Sequence, residues 1–416
     1  EIKAIQPARA HKPNLNLAGL DQLFTFWSPT ASNTLFENIL EVAPGEILCV
    51  SKGNITKRKY WDWIYPDNGQ YNSASVNTLA DELRELLIDA TRIRLRADVP
   101  VGGYLSGGLD SSVLVSIIKN FTDTPLRTFS IEFEESGLDE SRYQKQLVEH
   151  LETEHSKIIC KNSHISDNFE KMIWHTELPV LRSAPVPMSM LSKLVHDSNY
   201  KVVLTGEGAD EVLGGYDIFK ESKIRQFWAK NVNSGFRPLL LKKLYPYLDV
   251  SPGKAQAYLK EFFGQGIDNP ALSYFSHIPR WDTTSRIKGF YSADLKDQLK
   301  TDAISTFQSG LPENFQSLHT FNKSQYIESK TLMSGYLLCS QGDRMLMMNS
   351  VEGRFPFLDH RLIEFVNKIH PKYKMKGLTE KYLLKRSMGE YIPQDIMKRH
   401  KQPYRSPDII SFTGDN

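Results

Sequence analysis

Residues 106–112, Ser-Gly-Gly-Leu-Asp-Ser-Ser, constrain this chain more than any other stretch. They follow an apolar, strand-like run at 99–105 and precede a helical pattern at 109–118. Two glycines let the backbone turn sharply and bring its N–H groups close to an oxyanion. The start of the following helix adds unsatisfied N–H groups and a partial positive charge, and the serine hydroxyls add further donors. Such a loop can cradle several phosphate oxygens without a lysine. Asp110 suits naked phosphate poorly but suits the magnesium that accompanies ATP. The plainer alternative is a serine-capped strand-to-helix turn.

The surroundings supply the sheet that such a turn needs. A helix opened by Asn77 or Thr78 places Leu79, Leu83, Leu86, Leu87, Ala90 and Ile93 on one face. Strands are predicted at 126–133, 157–161 and 201–204, with helices at 140–151 and 188–195 between them. This alternation predicts an α/β fold, a Rossmann-like parallel sheet flanked by helices on both faces. Beyond about residue 217 the pattern is mainly helical, with apolar spacings at 362–366 and 382–388, which predicts a C-terminal helical subdomain packed beside the sheet. Residues 1–70 are turn-rich and β-rich, and a hairpin is predicted from 47–50 through Lys52-Gly53-Asn54 to 55–61. The polar stretch 66–73 reads as a linker, so the expected domains are 1–70 and 76–416.

A second turn, Thr205-Gly206-Glu207-Gly208-Ala209-Asp210-Glu211, follows the strand at 201–204. Its Gly206-x-Gly208 hints at a dinucleotide fingerprint, but Glu211 stands where the third glycine belongs. Three carboxylates within this turn would repel one another and an incoming nucleotide. A cation removes the conflict, so Asp110 and Asp210 are expected to share one magnesium with the phosphates. On that reading, asparagine at either position should leave folding nearly unchanged. The alternative is a solvated acidic turn at a helix start. A Walker loop is absent, because Ser251-Pro252-Gly253-Lys254 lacks the upstream glycine.

Charge and cysteine usage exclude other classes. The 51 basic and 49 acidic residues leave a net charge of +2, which gives no electrostatic reason for nucleic acid or a membrane as the main partner. Cys49, Cys160 and Cys339 form no CxxC pair, so neither a disulfide framework nor a zinc site is expected, and a cytoplasmic location fits. No apolar run reaches the ~20 residues of a membrane span. The chain opens on Glu1 rather than methionine, which is read as a fragment or a processed chain.

The loop at 106–112 resembles the pyrophosphate loop of PP-loop ATP pyrophosphatases, which cleave ATP between its α- and β-phosphates. With the second turn, residues 76–408 resemble the C-terminal synthetase domain of the glutamine-hydrolysing asparagine synthetases. The likeness includes 353–360 (Gly-Arg-Phe-Pro-Phe-Leu-Asp-His) and 399–403 (Arg-His-Lys-Gln-Pro). Residues 1–70 are similar to the last part of that family's glutaminase domain. The half bearing its cysteine nucleophile is missing, so free ammonia or a separate source is expected in place of glutamine.

The resemblance implies that ATP and Mg2+ convert the side-chain carboxylate of aspartate to β-aspartyl-AMP, from which ammonia displaces AMP. It implies Ser106, Gly107, Gly108, Ser111 and Ser112 for the pyrophosphate, Asp110 and Asp210 for the metal, and Tyr104, Ile131, Thr205 and Gly206 for the nucleotide. Lys401 is implied at the α-phosphate; the alternative is a surface lysine in a cluster with Lys398, Arg399 and His400. Glu207 resembles an acid that handles the proton of the amine. Glu352 and Arg354 are candidates near it, with a structural ion pair the alternative for Arg354. Arg182 is a candidate clamp for a substrate carboxylate. A β-lactam-forming or related amide ligase, with the same chemistry on another carboxylate and amine, is the competing function. The expected partners are therefore small molecules, with a homodimer as the candidate assembly.

Overall fold

The computed structural model describes residues 1–8, 11–135, 137–245, 252–300 and 302–413, which fall into two compact units. Ser251, which opens the rejected Walker-like stretch, lies outside the described residues.

One unit comprises residues 2–71 and 214–335. Its hairpin pairs β1 (Glu46–Ser51) with β2 (Asn54–Lys59) in antiparallel register, Val50 opposite Ile55. Lys52 and Gly53 take φ of +48° and +80°, as a two-residue type I′ turn requires. The helix Leu17–Phe26 starts at Asn16, whose side chain accepts the Gly19 N–H. Its Asp21 pairs with Lys288 at 2.6 Å and accepts the Ala303 N–H at 2.9 Å. Phe26 meets Trp281 edge-on at 4.6 Å. Residues 2–71 are thus built into the same unit as 214–335 and are not a free-standing segment. The buried Arg225 donates to the carbonyls of Phe263 (2.9 Å) and Gln265 (2.5 Å), with its guanidinium over the Phe275 ring.

The other unit comprises residue 1, 72–213 and 336–416. It holds the parallel sheet: β3 (Val101–Tyr104), β4 (Arg127–Phe133), β5 (Glu154–Cys160), β6 (Val202–Leu204) and β7 (Glu352–Arg354), in the order β5-β4-β3-β6-β7. All four pairings are parallel. One face packs Phe129, Ile131 and Val203 against the helices Asn162–Thr176 and Pro185–Asp197. On the other face Val101, Val202 and Leu204 meet Ile118 of the helix Leu109–Phe121. Both faces are therefore covered, as the continuous apolar strands require.

Several details depart from expectation. The first long helix of this unit is Val76–Arg94, capped by Ser75 rather than Asn77 or Thr78: the Ser75 hydroxyl accepts the Thr78 N–H at 3.2 Å. Asn77 instead accepts from Arg386 at 2.8 Å. The helices His360–Asn367 and Tyr382–Met388 share the sheet's unit, so the helical C-terminal part is not one subdomain. The edge strand β7 was not foreseen, because Glu-Gly-Arg carries no apolar pattern. Its register comes from backbone pairing, with the Glu352 N–H on the Lys201 carbonyl at 2.8 Å and the Thr205 N–H on that of Arg354 at 3.0 Å.

Candidate active site

Strand order reverses between β3 and β6, so the turns after these strands open side by side at the sheet's C-terminal edge, where open α/β sheets hold ligands. The turns touch. A Cβ on Gly206 would stand 3.0 Å from the Asp110 Cβ and 3.1 Å from the Ser111 nitrogen, so only glycine fits there without displacement.

The loop at 106–112 is shaped by its own hydroxyls. Ser112 donates to the Gly108 carbonyl at 2.7 Å and Ser111 to the same oxygen at 3.2 Å. Ser106 and Ser111 share a hydrogen bond at 3.0 Å, and the Ser106 hydroxyl accepts the Gly108 N–H at 3.3 Å. Gly107 takes φ +76°, a left-handed conformation that favours glycine. Gly108 precedes the helix Leu109–Phe121, and no side chain caps its first N–H groups. An uncapped helix start below a glycine turn suits an anion.

Asp110 and Asp210 do converge, and the cation between them is a lysine. Lys381 Nζ lies 2.6 Å from both Asp110 oxygens and 2.5 Å from Asp210 Oδ1. Lys401 Nζ lies 2.6 Å from Asp210 Oδ2 and 3.5 Å from Asp110 Oδ2. Asp110, Asp210 and Lys381 are buried. Burial alone would raise the Asp210 pKa, but Lys381 and then Lys401 hold it below its ordinary value. Burial would likewise lower the pKa of Lys401, and Asp210 and Asp110 overcome this and raise it. Two ammonium groups thus face two carboxylates.

Lys381 is the residue that sequence reasoning missed. Its backbone is left-handed, with φ +51° and ψ +35° at the N-cap of the helix Tyr382–Met388. That conformation costs a non-glycine residue roughly 1–3 kcal/mol, and cations are disfavoured at helix N-termini. A lysine just ahead of an apolar helical pattern was the available clue.

Glu207 is pushed up to about 7, first by burial and then by Asp110 and Asp210, with its own backbone N–H and Lys401 opposing. Its carboxylate accepts a hydrogen bond from the Thr205 hydroxyl. Tyr104, buried at the end of β3, has its phenol pKa raised by burial and by Glu207. Ile131 is core, and its carbonyl accepts the Gln144 amide at 3.1 Å.

The remaining candidates sit in ion pairs. Arg182 pairs with Asp408 at 2.7 Å, and Asp408 also accepts the Ser183 N–H and hydroxyl. Arg354 pairs with Glu352 at 2.7 Å and donates to the carbonyls of Arg94 (2.7 Å) and Arg96 (2.8 Å). These contacts match the structural role weighed for Arg354.

A family model described as asparagine synthase matches residues 82–415. The chain is 29% identical over 412 residues to the amidase chyE of Penicillium rubens, covering 90% of this chain and 60% of that protein. It is also 29% identical to an asparagine synthetase [glutamine-hydrolyzing] 1 of Bacillus subtilis, covering 93% and 58% respectively. The chain therefore spans about 60% of the length of these relatives. An NH3-dependent NAD synthetase from Campylobacter jejuni aligns with 58% of this chain and 99% of its own at 16% identity and a TM-score of 0.25. That likeness is too slight to inform the fold or the chemistry.

Proposed function

Because the chain belongs to the asparagine synthase family, we propose that it uses ATP to convert a carboxylate to an acyl-adenylate and then passes the acyl group to an amine. The observation that carries this reading is the pair of lysine ammonium groups, Lys381 and Lys401, held beside an uncapped phosphate loop. Attack of a carboxylate oxygen on the α-phosphorus breaks its bond to the bridging oxygen and leaves charge on the departing pyrophosphate. Donors fixed before the reaction stabilise that charge without reorganising. The N–H groups at the start of the helix Leu109–Phe121 serve the pyrophosphate, and Lys401 serves the α-phosphate.

The donor chemistry also suits magnesium. Asp110 and Asp210 offer hard oxygen ligands, and magnesium held by both would take the place of the Lys381 ammonium between them. Among the described residues no group of three or more His, Cys, Asp or Glu side chains could hold a metal by itself, so phosphate oxygens would complete the coordination. Bound there, magnesium would neutralise phosphate charge.

Aspartate is the first carboxylate to test, with ammonia as the amine. The Arg182–Asp408 pair favours a second reading, a carboxylate other than aspartate, because the expected clamp for an amino-acid carboxylate already serves Asp408. The likeness to an amidase supports it too. The chain with magnesium, ATP and a panel of carboxylates should exchange labelled pyrophosphate into ATP and, with ammonia, yield AMP and an amide. The carboxylate that supports exchange identifies the substrate. ADP as the main nucleotide product would refute the assignment.

Glu207 is assigned the proton lost when the amine attacks the acyl-adenylate. With its pKa at about 7, it is protonated in mildly acidic solution and cannot act as a base there. At constant free amine, amide formation should rise about tenfold per unit as pH increases toward 7 and then level off. Glu207→Gln should remove the inflection. An unchanged profile in that variant would exclude this role.

A further inference from the structure

We propose that Arg399 is a positioning residue that sets the Gly107–Gly108 peptide of the phosphate loop and ties it to the segment bearing Lys401. This rests on reading 106–112 as a phosphate loop. Arg399 Nη1 donates to the Gly107 carbonyl at 3.1 Å, while Nη2 pairs with Glu140. The guanidinium lies over the Tyr143 ring, 4.3 Å from its centroid, and the side chain is only 11% exposed. One planar group therefore engages the loop backbone, a carboxylate and an aromatic face together.

The geometry has a direct effect on the loop's donors. In a trans peptide the carbonyl of one residue and the N–H of the next point in opposite directions. With the Gly107 oxygen on Arg399, the Gly108 N–H is turned into the loop, where it meets the Ser106 hydroxyl at 3.3 Å. This peptide joins two glycines, the residues least able to resist rotation. A flip would present a carbonyl oxygen where a phosphate needs a donor.

Contacts from the next helix limit that freedom. A Cβ on Gly107 would lie 2.8 Å from the Tyr143 Cβ and 3.0 Å from the Gln144 nitrogen, at the start of the helix Ser141–Leu151. Arg399 closes the arrangement from the other side, two positions before Lys401. The loop donors and the Lys401 ammonium are then fixed as one assembly. A lysine could balance Glu140 but has no fork to reach Glu140 and Gly107 together.

Titration calorimetry with inorganic pyrophosphate and magnesium tests this directly, alongside pyrophosphate exchange and thermal melting. R399K should melt within a few degrees of the parent, whereas R399Q leaves Glu140 uncompensated and should melt lower. Both should bind pyrophosphate about tenfold or more weakly, with kcat for exchange falling by at least as much and KM for the carboxylate unchanged. E140Q should weaken binding in the same direction and add little in the R399Q background. Parental pyrophosphate affinity and kcat in R399K would overturn the proposal, because charge alone would then suffice. If the Arg399 variants fail to fold, parental affinity in E140Q overturns it. A parent that binds pyrophosphate yet exchanges it with no carboxylate refutes the acyl-adenylate reading alone. A parent that binds none removes both.

Discussion

Replacing Lys401 with methionine should lower pyrophosphate exchange by about 10²–10³, the scale of losing one preorganised donor in a water-excluded site. Methionine keeps the unbranched, flexible stem, one atom shorter, while removing the ammonium, so the loss reports mainly charge. Lys381→Met should be at least as severe, because that ammonium touches both Asp110 and Asp210. The two variants should differ in the apparent affinity for magnesium ATP. Lys381 sits at the centre expected to receive the cation, whereas Lys401 lies mainly on Asp210. Exchange within threefold of the parent in Lys401→Met would remove that residue from the chemistry.

Asp210→Asn should abolish exchange to a similar degree and should also destabilise the fold. A reading of the two aspartates as crowded like charges expects no stability loss from this change. The structure reverses that expectation, since each carboxylate faces lysine ammonium groups that it neutralises. Removing one partner of a buried pair leaves a charge uncompensated and costs about 3–5 kcal/mol. The sign with pH follows from the depressed Asp210 pKa. Such a carboxylate stabilises the fold above its unfolded value of 3.8, and the contribution fades as pH falls through its lower folded value. The difference in melting temperature between parent and Asp210→Asn should be full at neutral pH and should close as pH falls below about 4. Equal melting at pH 7 would show that the pair contributes nothing to stability.

What the sequence conveyed depended on how local its signal was. The loop at 106–112 was legible because glycines and serines between a strand and a helix specify a backbone geometry within a few residues. The turn at 205–211 was legible for the same reason. The hairpin at 46–59 followed from one turn whose residues accept positive φ. Lys381 was not legible, since its role exists only where a left-handed backbone at a helix start aims it at two carboxylates from distant strands. Arg182 shows how little residue type alone conveys. Its residue type suited a carboxylate clamp, and the carboxylate that it holds belongs to Asp408 of this chain. The grouping of 2–71 with 214–335 was hidden as well, because contacts such as Asp21–Lys288 join segments far apart in sequence.

The four charges at the centre of the site also impose an order on biosynthesis. Asp110 and Asp210 leave the ribosome well before their counter-charges, and Lys401 follows Asp210 by roughly 190 residues, or roughly 10–40 s at ordinary elongation rates. During that interval the nascent chain can pair β3, β4, β5 and β6, but it carries two like charges with nothing to offset them at the sheet's edge. Burying both ionised would be costly, so that edge must stay hydrated until the C-terminal segments arrive. Ribosome-bound intermediates stalled before Lys381 should therefore expose the 106–112 and 205–211 turns to protease, even where the strands beneath them are already protected.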